Sequence, residues 1–323
     1  MRILIVTPAK PGSRHGNRNT AVRWARLLRE LGHRVAITVA FDATRLAARF
    51  DLLIALHARR SHQALSDWKQ ACLDKPAILA LTGTDLYRDI RTDDKAQQSL
   101  DLADRMIVLQ AEGLQELRAK HRAKTRVIHQ SVDPIKPALP PVTYALVTVI
   151  GHLRDEKDPF RAALALAHIP AHQRVGVVQL GGAMSPEFAL EAKRLMAKEP
   201  RYRWLGEHSH GTTMRWLARS HLMVISSQME GGAHVVSEAI EAGVPVLASK
   251  VSGNIGMLGR DYAGYFRLGD EKGLARLIAR CVGETAEDGF LGHLCAQVVT
   301  RRPLIARDAE RAALGAMLEE VRW

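Results

Sequence analysis

Two glutamates eight residues apart, Glu230 and Glu238, bracket a Gly231-Gly232 pair in "SSQMEGGAHVVSEAIEAG". A helix starting near Gly232 or Ala233 and ending at Gly243 would place Glu238 in its second turn, on the face of His234. The first N–H groups of such a helix lack intrahelical partners and carry the positive end of its dipole. A phosphate suits that end, and the two glycines let the backbone approach it closely. A carboxylate one turn in can accept both hydroxyls of a ribose diol. Gly231, Gly232, His234, Val235, Val236 and Glu238 are therefore candidate nucleotide-binding residues. The same spacing also fits a capped surface helix with incidental glutamates. Upstream, "VIGHLRDEKDP" puts Gly151 at a strand end, with Arg154 and Lys157 three apart in the following loop. Two such cations can clamp a diphosphate.

The elements that must position these groups alternate along the chain. "RILIVT" (2–7), "RVAITVA", and apolar runs at 51–56, 77–82 and 105–110 read as buried strands with helical patterns between them. The pattern breaks at "PIKPALPPV", a stiff proline-rich connector. It resumes with runs at 144–151, 174–182, 201–206, 221–227 and 244–249. This alternation predicts an α/β chain of two Rossmann-like, doubly wound parallel-sheet domains facing across a cleft. The domains run from 1 to 138 and from 142 to 302, and the stretch 303–323 packs back on the first.

The chain has 323 residues, 47% apolar and 25% charged, enough for two cores and ordinary for a globular protein. Its formal net charge of +12 invites a nucleic-acid reading, but aromatics make up only 5% and are not interleaved with the basic residues. A solvated basic surface accounts for this charge, and attraction of small anionic substrates is the sharper reading. No apolar run reaches the roughly 20 residues of a membrane span. Three cysteines without metal-like spacing point to reduced thiols and a cytoplasmic location. The expected partners are small molecules, with no nucleic acid, no stable membrane association, and a monomer or homodimer as the assembly.

Taken together, these residues resemble the donor domain of GT-B glycosyltransferases, the group related to sucrose and trehalose-phosphate synthases. The E-x7-E signature is Glu230 to Glu238, "GHLRDEKDP" matches the diphosphate-binding Arg and Lys, and "VIHQSVDP" (127–134) resembles the end of the first domain. The resemblance implies a nucleotide-activated sugar, most often a UDP-sugar. Glu238 would hold the ribose, Arg154 and Lys157 the diphosphate, and Glu230 the sugar. Where the family usually has Gly-Phe-Gly after the first glutamate, this chain has Gly231-Gly232-Ala233-His234. That variant, with "LTGTDLYRDI" and "SGNIGMLGRDYAGYF", is similar to the selenosugar synthases of selenoneine biosynthesis. Those enzymes join UDP-N-acetylglucosamine or UDP-glucose to selenophosphate and release a 1-selenosugar, UDP and phosphate.

That likeness makes the first domain the acceptor half. In "KPGSRHGNRNT", Gly12, Arg14 and Asn17 to Thr20 offer backbone N–H groups, charge and a helix start capped by Asn17 or Asn19. His57 and Arg59 end one strand, and Thr84 and Asp85 end the next, where open α/β sheets bind ligands. Asp85 could orient a sugar hydroxyl, act as base for the water that removes phosphate, or simply cap a turn or helix; it joins Glu230, Arg154 and Lys157 as a candidate catalytic residue. No cofactor and no metal is expected, since no Asp-x-Asp motif occurs. The other reading is ordinary transfer to a hydroxyl of a small molecule or lipid.

Overall fold

The computed structural model describes residues 1–13 and 16–321. The chain divides into two compact units, Met1–Ser131 with Ala306–Trp323, and Val132–Ile305. The crossing lies at residue 131, not at 138–142: the proline-rich stretch belongs to the second unit and has no regular element. The return crossing falls at 305, three residues later than the sequence suggested.

In the first unit, β1 (Arg2–Val6), β2 (Arg34–Thr38), β3 (Leu52–Leu56), β4 (Ala77–Leu81), β5 (Arg105–Val108) and β6 (Thr125–Val127) form one parallel sheet. Its order is β2-β1-β3-β4-β5-β6. β3 and β4 are buried at every position, as apolar strands covered on both faces must be. The Gly16–Glu30 helix buries Ala21, Trp24, Ala25 and Leu28, a helical stripe facing the sheet. It ends at Gly32, whose φ of +85° allows His33 N–H to reach Leu28 O and Gly32 N–H to reach Arg29 O.

In the second unit, β7 (Ala145–Ile150), β8 (Val175–Leu180), β9 (Tyr202–Trp204), β10 (Leu222–Ile225), β11 (Val246–Ser249) and β12 (Tyr265–Phe266) pair in the order β12-β11-β10-β7-β8-β9. All their pairings are parallel. This is the doubly wound order whose direction reverses between the first and fourth strands of the unit, here β7 and β10. The corresponding reversal in the first unit lies between β1 and β3. No helix among the described residues is long and apolar enough to cross a membrane.

The chain returns to the first unit as the Arg307–Glu319 helix, which buries Leu314, Met317 and Leu318. Glu310 on this helix is 1% exposed. Its carboxylate accepts from Arg23 Nε (3.1 Å), Trp24 Nε1 (2.8 Å), and Ser131 N (2.8 Å) and Oγ (2.5 Å). One buried charge thus ties the returning helix to the first helix of the unit and to the residue at which the chain departs. Removing it strands an arginine and three other donors, which costs about 3–5 kcal/mol. Glu310→Ala is therefore expected to lower the unfolding free energy of the first unit by that amount, seen as a fall in its denaturant midpoint. A midpoint equal to wild type would show the network to be idle.

Candidate functional site

The glutamates sit on the loop and helix that follow β10, at the reversal point beside β7. The loops leaving the two strands are laced together. Ser226 Oγ donates to Asp158 O (2.8 Å), Gln228 N–H donates to Glu156 O (2.9 Å), and Gln228 Nε2 donates to Asp155 O (2.9 Å). This lacing brings Lys157 Nζ to within 2.5 Å of Glu230 Oε1. Glu230 is 8% exposed, so its charge is balanced by a partner the neighbouring loop supplies. Arg154 lies at the start of the same short turn, 3.9 Å from Glu156 in a loose pairing. Of the two cations, Lys157 is thus committed to Glu230, whereas the Arg154 side chain is 43% exposed. Gly151 lies at the mouth, directly after β7.

The loop of Glu230 is held from beneath. Ser249 Oγ donates to Ser227 O (2.6 Å), and Asn254 Nδ2 donates to Ser249 O (2.9 Å). On the Ser252–Leu258 helix, a Cβ at Gly253 would lie 1.9 Å from Glu230 O. Only glycine permits that approach, so the "SGNIG" segment shapes the site without contributing a functional side chain.

The following helix runs from His234 to Ala242 and ends at Gly243, with φ +70°. It starts one or two residues later than the sequence suggested. No side chain caps its first turn, and Gly231 and Gly232 lie in the bend before it. Val235 is half-buried, while Val236 is fully buried in the core. Val236 N–H is bonded to Ala233 O, so this residue supports the helix and is removed from the binding set.

Glu238 is 6% exposed. Its Oε1 receives His210 Nε2 at 2.8 Å and His234 Nδ1 at 3.2 Å. An ionised carboxylate only accepts, so both of these nitrogens carry protons. Burial pushes the Glu238 carboxyl up, but the two imidazoles outweigh it and leave it at about 2. The hydrogen bond to Glu238 in turn pushes His210 up. His210 stands at the start of the His210–Ala218 helix, behind the Ser209 cap. The sequence does not single out His210, because only the fold brings residue 210 beside residue 238.

The first-unit candidates fare unevenly. Gly12 (φ +80°) sits in the Lys10–Ser13 turn, closed by Ser13 N–H to Lys10 O (3.2 Å). Arg14 lies outside the described residues. The helix begins at Gly16, so Asn17 and Asn19 stand within its first turn instead of capping it. Thr20 is buried; its hydroxyl donates to Gly16 O (3.0 Å) and accepts from Gln130 Nε2 (2.7 Å), a structural use.

Of the readings open for Asp85, the structure supports the turn and not the base. It is fully buried, and its carboxylate accepts N–H groups from Ala58 (2.9 Å), Thr82 (3.0 Å) and Gly83 (2.8 Å). A carboxylate so engaged ties two loops together and is no longer free to act as a base. Asp89, one π-helical turn on, pairs with Arg59 Nε and Arg88 Nε, each at 3.1 Å. His57 has a φ of +79° and is 3% exposed. Its Nε2 lies 3.2 Å from Thr84 Oγ1, and burial pushes its pKa down. The structure therefore gathers His57, Arg59 and Thr84 at the ends of β3 and β4, with Asp89 as an addition.

The Glu238–His210 bond has a pH signature. Glu238 is depressed from 4.5, so its share of stability is present above about 4.5 and is lost as pH falls toward 2. His210 is raised from 6.5, so its share is present below 6.5 and is lost as pH climbs past its raised value. These are two views of one interaction; His234 shares the depression of Glu238 and the His210 side chain is 72% exposed, so solvent screening holds the His210 part to about 1 kcal/mol where both partners are charged. The stability lost in Glu238→Gln should peak between pH 4.5 and 6.5 and shrink on either side. A loss that is flat with pH would contradict the pairing.

Comparison with known proteins places this geometry. Residues 133–282 match the family model described as Glycosyl transferases group 1. No curated protein matches the sequence. Among solved structures, Anabaena HepE in complex with UDP superimposes with a TM-score of 0.78 at 17% identity, covering 99% of this chain and 100% of that one. Sucrose-phosphate synthase from Thermosynechococcus elongatus gives 0.78 at 17%, covering 98% of each chain. A glycosyltransferase from Rickettsia africae gives 0.73 at 13%, covering 99% of this chain and 98% of that one. The protein is thus built on the two-sheet GT-B glycosyltransferase fold, and the unit that carries Glu230 and Glu238 is the one that matches the group 1 glycosyl transferases.

Proposed function

We propose that the protein is a glycosyltransferase that takes UDP-N-acetylglucosamine or UDP-glucose and transfers the sugar to selenophosphate. The observation that carries the donor half is the buried, ionised Glu238 on the helix whose uncapped N-terminus adjoins Glu230 and Lys157. HepE, which shares the fold, has been solved with UDP and with UDP-glucose. In this reading the ribose diol donates to Glu238. The diphosphate meets Arg154 and the first N–H groups of the His234–Ala242 helix, and the sugar lies toward Glu230.

The acceptor half draws on the sequence likeness to selenosugar synthases and on the charges of the first unit. Asp85 and Asp89 are engaged by backbone N–H groups and by Arg59 and Arg88. With both aspartates so engaged, neither serves as a base, which suits an anion that needs none. Selenophosphate is such a nucleophile. Its selenium lone pair attacks the anomeric carbon, the bond from that carbon to the diphosphate oxygen breaks, and the electron pair leaves with UDP. Water then cleaves the Se–P bond, giving the 1-selenosugar and phosphate. Positioning and stabilisation of the leaving group supply the catalysis. We assign the stabilising charge to Arg154 and the helix end, with Lys157 holding Glu230 and no metal in the reaction.

The test incubates the protein with either UDP-sugar and selenophosphate in the presence of EDTA. UDP release is followed, and the product is identified by mass spectrometry. A selenium-bearing sugar is expected, and Glu238→Ala should raise the KM for the donor at least tenfold with a smaller change in kcat. UDP release to a hydroxyl acceptor without a selenium product would replace the acceptor by the ordinary one. Activity abolished by EDTA and restored by a divalent cation would overturn the metal-free mechanism.

A further inference from the structure

Glu238 differs from a bare ribose-binding carboxylate in that one oxygen is already occupied. Oε1 accepts from His210 and from His234, leaving Oε2 for a ligand. The two histidines differ in setting. His234 shares a helix with Glu238, four residues away, so its position follows from the helix itself. His210 reaches across from another helix, and its side chain is 72% exposed. An exposed side chain directed onto a buried charge adds little to the core, so its use lies at the mouth of the site.

We infer that His210 is a positioning residue for nucleotide binding: through Nε2 it fixes the Glu238 carboxylate in the orientation that offers Oε2 to a vicinal diol. The inference rests on the nucleotide-sugar reading of the site. His210 has a second effect. Burial opposes the charge of Glu238, and His210 is one of the two groups that offset it. Without His210 the carboxyl takes up a proton at higher pH and loses an acceptor. Asp133 is the other carboxylate acting on His210. Around the Glu238 helix, the Ser252–Leu258 helix brings no titratable group, and Arg302 is engaged on the Ile240 and Glu241 carbonyls at the far end. The Phe290–Val299 helix carries His293 and Cys295, neither of which acts on Glu238.

The test measures UDP binding by titration calorimetry for wild type, Glu238→Gln, His210→Ala and His210→Gln, between pH 5 and 8. The glutamine amide can donate from nearly the position of the imidazole Nε2. His210→Ala should weaken UDP about tenfold at pH 7.5, and His210→Gln should return to within about threefold of wild type. The affinity of His210→Ala should also fall on acidification at a pH where wild type is still level. Equal binding by wild type and His210→Ala, with Glu238→Gln impaired, would overturn this inference and leave the donor site standing. Failure of His210→Gln to recover, with circular dichroism unchanged, would overturn it as well. No UDP binding by wild type, or binding indifferent to Glu238→Gln, would overturn the donor-site reading and this inference with it.

Discussion

A parallel sheet requires every crossover to pass over one of its faces, and where successive crossovers leave on opposite faces the two central strands open a crevice at their carboxyl ends. In the second unit those strands are β7 and β10, and the chain spends its unusual residues there. Hydrogen bonds from Gln228 N–H and Nε2 and from Ser226 Oγ to backbone carbonyls knit the two loops into one surface. Without that lacing, Lys157 would not meet Glu230, and two charges would be left in a site that excludes much of the water.

The second governing term is the energy of a carboxylate taken out of water. Three such groups are resolved in three ways. Glu310 collects an arginine, an indole N–H and Ser131, and becomes structural. Asp85 collects backbone N–H groups and holds loops together. Glu238 is met by two imidazoles on a single oxygen, which satisfies the charge while keeping the other oxygen for use. What sets Glu238 apart from the other two is the acceptor position left over.

Much of this organisation was legible in the sequence, and for physical reasons. Strands buried on both faces produce unbroken apolar runs such as "LLIAL", and Gly243 marks a left-handed helix end. The glutamate spacing singled out the loop and helix after β10, which the fold sets at the reversal point. What escaped was set by tertiary contact. β6 and β12 have three and two residues, too few for a pattern. His210 is distant in sequence from the Glu238 it bonds, and Gly253 matters because a Cβ there would fall 1.9 Å from Glu230 O, which no composition reveals. Asp85 misled because a strand-end aspartate looks the same whether it faces ligand or backbone. The unit boundary misled because prolines stiffen a segment without fixing which core it joins.

The claim at the centre is that Glu238 receives a ribose at the β7–β10 reversal. A crystal structure of the protein soaked with UDP tests it most directly. The account predicts ribose oxygens within hydrogen-bonding distance of Glu238 Oε2, with His210 still on Oε1 and the diphosphate at the N-terminus of the His234–Ala242 helix. Nucleotide bound elsewhere, or with its ribose turned away from Glu238, would contradict it.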